Sequence, residues 1–147
     1  MNNWGDDPIE PSQTIGTNNR PKSEQVVEPQ LYYGSVAEFV HEFLRFAYRR
    51  RIDGRNRVWA ARWWEVDEAL IRLEALWRAW EHLRLDAATG MSVWLRDHAD
   101  HHMQILFDPN GPFAAAAEGD ENHNRRGEPL PCAIPPPELF PDVRHHS

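Results

Sequence analysis

Three histidines and two aspartates lie close together in the segment DHADHH, residues 97–102. His98 and His102 are four positions apart, so in a helix both imidazoles lie on one face. Such a pair can chelate a metal ion, and a neighbouring aspartate can orient an imidazole. A zinc site needs three or four ligands, and no second pair of histidines or cysteines has a familiar spacing. A metal site at His98 and His102 is therefore one hypothesis, and structural histidines hydrogen-bonded to carboxylates are the favoured alternative.

The segment between residues 49 and 64 combines arginines with tryptophans. Arginines contact phosphates and exposed aromatic rings stack on bases, so the segment is a candidate surface for single-stranded nucleic acid. In the alternative, favoured by the nearly balanced charge of residues 31–113, the arginines complement a helix dipole and cover indole rings. Trp64 is expected to be exposed and, with Trp59, is a candidate for contact with a partner protein. The candidate nucleic-acid contacts are Arg49, Arg50, Arg51, Arg55 and Arg57.

A proline-rich stretch, LPCAIPPPELFPDV, occupies residues 130–143. Three consecutive prolines favour a polyproline II helix, which can dock on a partner protein. Leu139 and Phe140 would then be the apolar anchors of that contact. A plain disordered tail is the favoured alternative.

The chain carries a net charge of −7 and a single cysteine, Cys132. An acidic chain is a poor general binder of polyanions, and one cysteine can form no disulfide within the chain, which suits a reducing cytoplasm. No secretory signal and no apolar run of membrane-spanning length is recognisable, so we expect a cytoplasmic protein without membrane contact. Because no nucleophile–base set, phosphate-binding glycine loop or dinucleotide motif is present, an enzyme is not favoured and no cofactor is expected.

The first predicted helix begins after Ser35 and runs for about 17 residues. The sequence SVAE at 35–38 matches a capping box, in which Ser35 and Glu38 satisfy N–H groups at the helix start. Apolar residues from Val36 to Ala47 then recur on one face, as expected for a helix that covers a core.

Four tryptophans lie in the segment WWEVDEALIRLEALWRAW, residues 63–80. Apolar residues every three or four positions place most of them on one stripe, which predicts a core role. A helix that is apolar on two sides is normally covered on both, so we expect the central helix of the domain within residues 57–85. A break is possible there, with Asp67 capping a helix that begins at Glu68. The thinner second apolar line consists of Trp64, Ile71, Ala75 and His82.

A third helix is predicted at residues 93–107, capped by Ser92 and ended by the turn sequence DPNGPF. Because no strand signal of useful length occurs, the chain is predicted to be all-α, with a small three-helix domain at residues 31–113 around a central Trp-rich helix. Residues 1–30 and 114–147 are rich in proline and polar side chains, so both are predicted to be disordered tails, the second acidic and then proline-rich.

The motifs RWWEVDEALIRLEALWRAWEHLR, MSVWLRDHADHHM and DPNGPF resemble the actinobacterial domain of unknown function family number 4913. The resemblance covers roughly residues 31–113. Departures from the family pattern are Val66-Asp67, where His-Pro is frequent, and His101, where Pro is frequent, so any role of the first family histidine is missing here. The resemblance implies an actinobacterial or actinophage-type host and an association with mobile elements. It implies no activity, cofactor or catalytic residue.

These observations favour a small cytoplasmic protein that acts through contact with an unknown protein partner or with itself, including as an accessory factor of a mobile element. A nucleic-acid-binding module using segment 49–64 is the first alternative. A metal-binding protein using His98 and His102 is the second.

Overall fold

The computed structural model describes residues 30–144, and within this range it contains helices and no strand. The predicted all-α class with three main helices is confirmed. None of the helices in residues 30–144 is long and apolar enough to cross a membrane. Helix α1 is made of Val36–Phe39, a π-helical turn at Val40–Leu44, and Arg45–Ala47; α2 is Asp67–Leu83; α3 is made of Gly90–Val93, a π-helical turn at Trp94–Ala99, and Asp100–Phe107. Short 3₁₀ turns occur at Trp63–Glu65, Ala114–Ala116, Asp120–Asn122 and Pro137–Leu139.

Helix α1 begins as predicted, with Ser35 at its cap. The Ser35 hydroxyl accepts a hydrogen bond from the Glu38 N–H (3.1 Å), and the Glu38 carboxylate accepts one from the Gly34 N–H (2.7 Å). The helix is shorter than expected because the backbone of Tyr48 leaves the helical region at φ −117° and ψ 61°. Tyr48 is buried, and its hydroxyl donates to Asp100 of α3 (2.7 Å). The chain beyond α1 therefore continues as a loop that carries the arginines.

The central segment is broken before α2. Val66 is extended, at φ −109° and ψ 112°, and separates the 3₁₀ turn Trp63–Glu65 from α2. Asp67 is the first residue of α2 and does not cap it, because the capping position belongs to Val66, whose side chain makes no capping bond. The suggested cap at Asp67 is therefore wrong, whereas the suggested break before the helix is present.

Helix α2 is central in the sense that it contacts both α1 and α3. Its main stripe is buried as predicted, with Leu73, Leu76 and Trp77 at most 2 % exposed. The second line is not covered: the side chain of Ile71 is 69 % exposed, and Ala75 and His82 are exposed too. The expectation that neighbours shield both apolar sides of α2 is therefore wrong for this line.

Residues 114–144, here called the C-terminal segment, pack against the helices. Leu130 is fully buried, and the Trp59 indole N–H donates to the Pro131 carbonyl (2.8 Å). The buried Asn122 side chain accepts from the Ala61 N–H (2.7 Å). The predicted disorder is therefore wrong for this segment, as is the predicted end of the domain at residue 113. Proline loses little conformational entropy on ordering, so a few specific contacts suffice to hold such a segment.

The same disorder prediction for the N-terminal 29 residues and for residues 145–147 lies outside the described residues. The packed unit begins at Leu31, as predicted.

Candidate functional site: an arginine cleft

Five arginines line one open cleft of about 340 Å³, here called the arginine cleft. Four of them lie in the loop that follows α1, and the fifth comes from the C-terminal segment. Asp53, Asn56 and Gly127 complete the lining. The arginines are Arg49, Arg50, Arg51, Arg57 and Arg126.

A tight turn returns the loop on itself and gathers four of these arginines. The turn requires Gly54, whose φ is +79°, and the Gly54 N–H donates to the Arg57 carbonyl (2.9 Å). The Asp53 carboxylate accepts from the N–H groups of Arg55 (2.9 Å) and Asn56 (2.8 Å). An aspartate that binds the backbone of following residues in this way stabilises such a turn.

Asn124 attaches the C-terminal segment to the same loop. Its side-chain oxygen accepts from the Ile52 N–H (2.7 Å), and its NH₂ group donates to the carbonyls of Arg50 and Pro129 (both 3.0 Å). The Arg49 guanidinium adds a bond to the Gly127 carbonyl (3.0 Å). These contacts bring Arg126, distant in sequence, to the edge of the cleft.

The positive charge of the cleft is not neutralised by ion pairs. In residues 30–144, none of the five guanidinium groups forms a salt bridge, whereas Arg62, Arg78 and Arg96 each pair with a carboxylate. The lining holds a single carboxylate, Asp53. Hydrogen bonds from the N–H groups of Arg55 and Asn56 hold the pKa of Asp53 well below its usual range, so this group is ionised and already bound to the backbone. A strong positive potential remains, which suits an anionic ligand.

The arginine motif of the sequence is therefore largely assembled into one site. Arg49, Arg50, Arg51 and Arg57 line it, whereas Arg55 is exposed at the turn and does not. Arg126 was missed because it lies in a segment predicted to be disordered. The pair Arg125-Arg126 directly before a glycine was the only signal that could have indicated it.

The tryptophans of segment 49–64 do not form the expected stacking surface. Trp59 and Trp63 are fully buried, and Trp64 is only 9 % exposed, so the expectation that Trp64 faces solvent is wrong. The break at Val66 removes Trp64 from the outer line of α2 and places its ring against Trp63, with 5.6 Å between ring centroids. These indoles belong to the core.

The histidine cluster contacts an arginine. His102 Nδ1 lies 2.9 Å from Arg72 Nη1, and because arginine only donates, Nδ1 is the acceptor. Burial lowers the pKa of His102, and the Arg72 cation lowers it further. His98 is half-buried on the preceding turn. No group of three histidine, cysteine, aspartate or glutamate side chains in residues 30–144 is placed to hold a metal ion.

The two proposed anchors of the proline-rich stretch differ in exposure. Leu139 is 52 % exposed, whereas the Phe140 ring packs on Trp63 with 5.6 Å between centroids. A small cleft of about 230 Å³ lies between this stretch and α1, and Ile134 at its edge is 77 % exposed.

One family model matches the chain, over residues 33–136, and its description is "Domain of unknown function (DUF4913)". The match covers more than half of the 147 residues and extends well into the C-terminal segment. No curated protein and no solved structure matches the chain.

Proposed function

Since this chain belongs to the domain of unknown function 4913 family, whose description names no activity, we propose a function from its geometry. The chain is a nucleic-acid-binding module that holds the phosphate backbone in the arginine cleft. Guanidinium groups fit phosphates because their planar forks donate two parallel hydrogen bonds.

One observation carries the proposal: five arginines from two distant segments line one cleft, and none of them forms a salt bridge within residues 30–144. Gathering like charges opposes folding, so a purely structural role would favour paired arginines such as Arg78 and Arg96. The net charge of −7 belongs to the whole chain, whereas the lining of the cleft holds five arginines and one carboxylate, Asp53.

Fluorescence anisotropy with labelled duplex and single-stranded oligonucleotides tests the proposal. We expect the logarithm of the binding constant to fall linearly with the logarithm of salt concentration, with a slope of about −3 to −4 for four phosphate contacts. Replacing Arg50, Arg51 and Arg126 with alanine should reduce the size of this slope by about 3, because each lost contact removes about one unit.

The matched control replaces Arg62, Arg78 and Arg96 with alanine. This control has the same net charge as the first triple variant, but the arginines that it replaces are exposed and paired with Glu65, Glu74 and Asp97. Near-normal binding by the control, together with normal circular dichroism of both variants, supports the cleft. Equal losses in the two triple variants, or no binding of either oligonucleotide at low salt, would contradict the proposal.

A protein-binding function is the second candidate, and the exposed apolar side chains beside α1 favour it. Ile134 lines the 230 Å³ cleft, Leu139 is exposed in the 3₁₀ turn Pro137–Leu139 that follows, and docking on a partner would bury both. We expect the double variant Ile134→Asp, Leu139→Asp to abolish an association, with itself or with another protein, that sedimentation detects for the natural chain. A natural chain that sediments as a free monomer alone and in cell extract would exclude this function. The cytoplasm is the proposed place of action for both functions.

A further inference from the structure

We propose that the ligand of the arginine cleft is duplex nucleic acid, bound through its phosphates and without regard to base sequence. This inference rests on the proposed function, and it names the ligand class of the same site. The arginine–tryptophan pattern of the sequence instead makes segment 49–64 a candidate surface for single-stranded nucleic acid.

Proteins that bind single strands generally combine a basic groove with exposed aromatic rings on which successive bases stack. The described tryptophans are at most 9 % exposed, so none offers a free face. The exposed aromatic ring nearest to the cleft arginines in sequence is Phe46, and the guanidinium groups of Arg45 and Arg49 already lie over it, at 4.7 and 5.2 Å from its centroid. Tyr32, the other exposed phenylalanine or tyrosine ring within residues 30–144, lines a different cleft with Glu38 and Glu42. The cleft therefore contacts phosphates and does not stack on bases.

A site that contacts only phosphates binds best where phosphates are dense. Duplex DNA carries one charge per about 1.7 Å of its axis, and each phosphate contact contributes about 0.9 to the salt slope, against about 0.7 on a single strand. Four phosphate contacts then give a salt slope of about −3.6 on a duplex and about −2.8 on a single strand. Because the two slopes differ by about 0.8, lowering the salt from 1 M to 0.1 M increases the ratio of duplex affinity to single-strand affinity by about sixfold.

Base readout in the major groove requires a helix or a ribbon that presents donors and acceptors to base edges. The arginine cleft is formed by the loop after α1 and by the C-terminal segment, and none of its lining residues lies in a helix. The exposed positions of α2 include Asp67, whose carboxylate would repel a phosphate backbone. Sequence-independent binding follows.

Competition at 0.1 M salt between an unlabelled duplex and the single strands of the same sequence tests the inference, with the full chain and a labelled duplex as the probe. We expect the duplex to compete better than an equal phosphate concentration of single strand, with a preference that increases about sixfold for each tenfold reduction in salt, and two duplexes of unrelated sequence to compete equally. The variant Phe46→Ala should leave the affinity for both forms within about twofold, because Phe46 does not stack on bases.

A single strand that competes as well as the duplex, or a Phe46→Ala loss confined to single strands, would overturn the inference and leave phosphate binding intact. A preference of more than tenfold between duplex sequences would overturn it too. Failure of every nucleic acid to bind would instead remove the proposed function itself.

Discussion

The buried carboxylate of Glu81, in α2, binds the chain that precedes α1. It is 6 % exposed, and its carboxylate accepts bonds from the backbone N–H groups of Tyr32 (2.8 Å) and Tyr33 (2.9 Å). The Trp77 indole and the Arg84 guanidinium, both at 3.0 Å, also donate to it. A buried carboxylate with four donors is satisfied, which is why it can remain ionised inside the core.

We expect Glu81→Gln to reduce the free energy of unfolding by about 2–4 kcal/mol, measured by urea denaturation. The amide keeps one acceptor oxygen and turns an NH₂ group toward groups that only donate. Glu74→Gln is the control, because Glu74 is exposed and its 3.4 Å pair with Arg78 should contribute less than about 0.5 kcal/mol. A loss at Glu81 no larger than at Glu74 would show that the four bonds are not formed.

The pH dependence of this effect has a definite sign. Burial raises the pKa of Glu81, but the bonds from Tyr33, Tyr32, Arg84 and Trp77 together outweigh it, so the folded pKa lies below the ordinary value. The stability that this carboxylate contributes is present above the unfolded pKa of about 4.3 and is lost as pH falls through the folded value. The stability difference between the natural chain and Glu81→Gln should be constant from pH 7 to about 5 and should narrow below about 4. Urea denaturation at each pH measures it, and a difference that grows on acidification would contradict the assignment.

At the scale of the elements, the tight connection between α2 and α3 depends on a glycine. A Cβ atom at Gly90 would overlap the Leu83 carbonyl oxygen at the end of α2 and would approach its carbon at 2.9 Å. Backbone atoms of a packed helix end cannot move aside cheaply, unlike the tip of a flexible side chain. The two helices can therefore approach this closely only because residue 90 has no side chain.

We expect Gly90→Ala to reduce the free energy of unfolding by about 1–3 kcal/mol, as overpacking does. Helix propensity alone predicts the opposite sign, a gain of up to about 1 kcal/mol, so the experiment decides between the two effects. Ser92 does not cap α3 as predicted, because the cap position is Thr89 and Ser92 lies exposed inside the helix. Ser92→Ala is therefore the control and should change stability by about 0.5 kcal/mol or less. Denaturant midpoints measure both, and a stabilised Gly90→Ala variant would contradict the described contact.

Elements with a strong local signal were predictable from the sequence. The Ser35 cap and the apolar period of α2 are local patterns, and the structure confirms both. The burial of Trp64 and the exposure of Ile71 were not predictable, because they depend on a change of backbone direction at Val66 that no local rule requires. The arginine cleft was half predictable: its loop residues are adjacent in sequence, but Arg126 reaches it through long-range contacts of Asn124 and Gly127 with the loop.

At the scale of the whole molecule, the C-terminal segment is part of the core although its composition is typical of disorder. Leu130 contributes about 1.5–3 kcal/mol by its complete burial, and the buried amide of Asn122 adds bonds whose loss costs about 1–3 kcal/mol. A small domain has only about 5–15 kcal/mol of total stability, so the segment decides whether the helices stay folded.

We therefore expect a chain that ends at Phe113 to lose most of its cooperative thermal transition, because Trp59 and its neighbours become exposed to water. Circular dichroism melting and binding of a hydrophobic dye measure this loss. A chain that ends at Arg144 is the control and should melt like the full chain. Unchanged melting of the shorter chain would show that the segment is dispensable.

The site joins two stretches of chain, and this has a consequence for proteolysis. Arg125 and Arg126 are exposed beside Gly127, where trypsin can cut. A nick there cuts the chain at the edge of the cleft, whereas bound nucleic acid would shield the same peptide bonds. The rate of tryptic cleavage at this point would thus report how much of the protein carries its ligand, without any label.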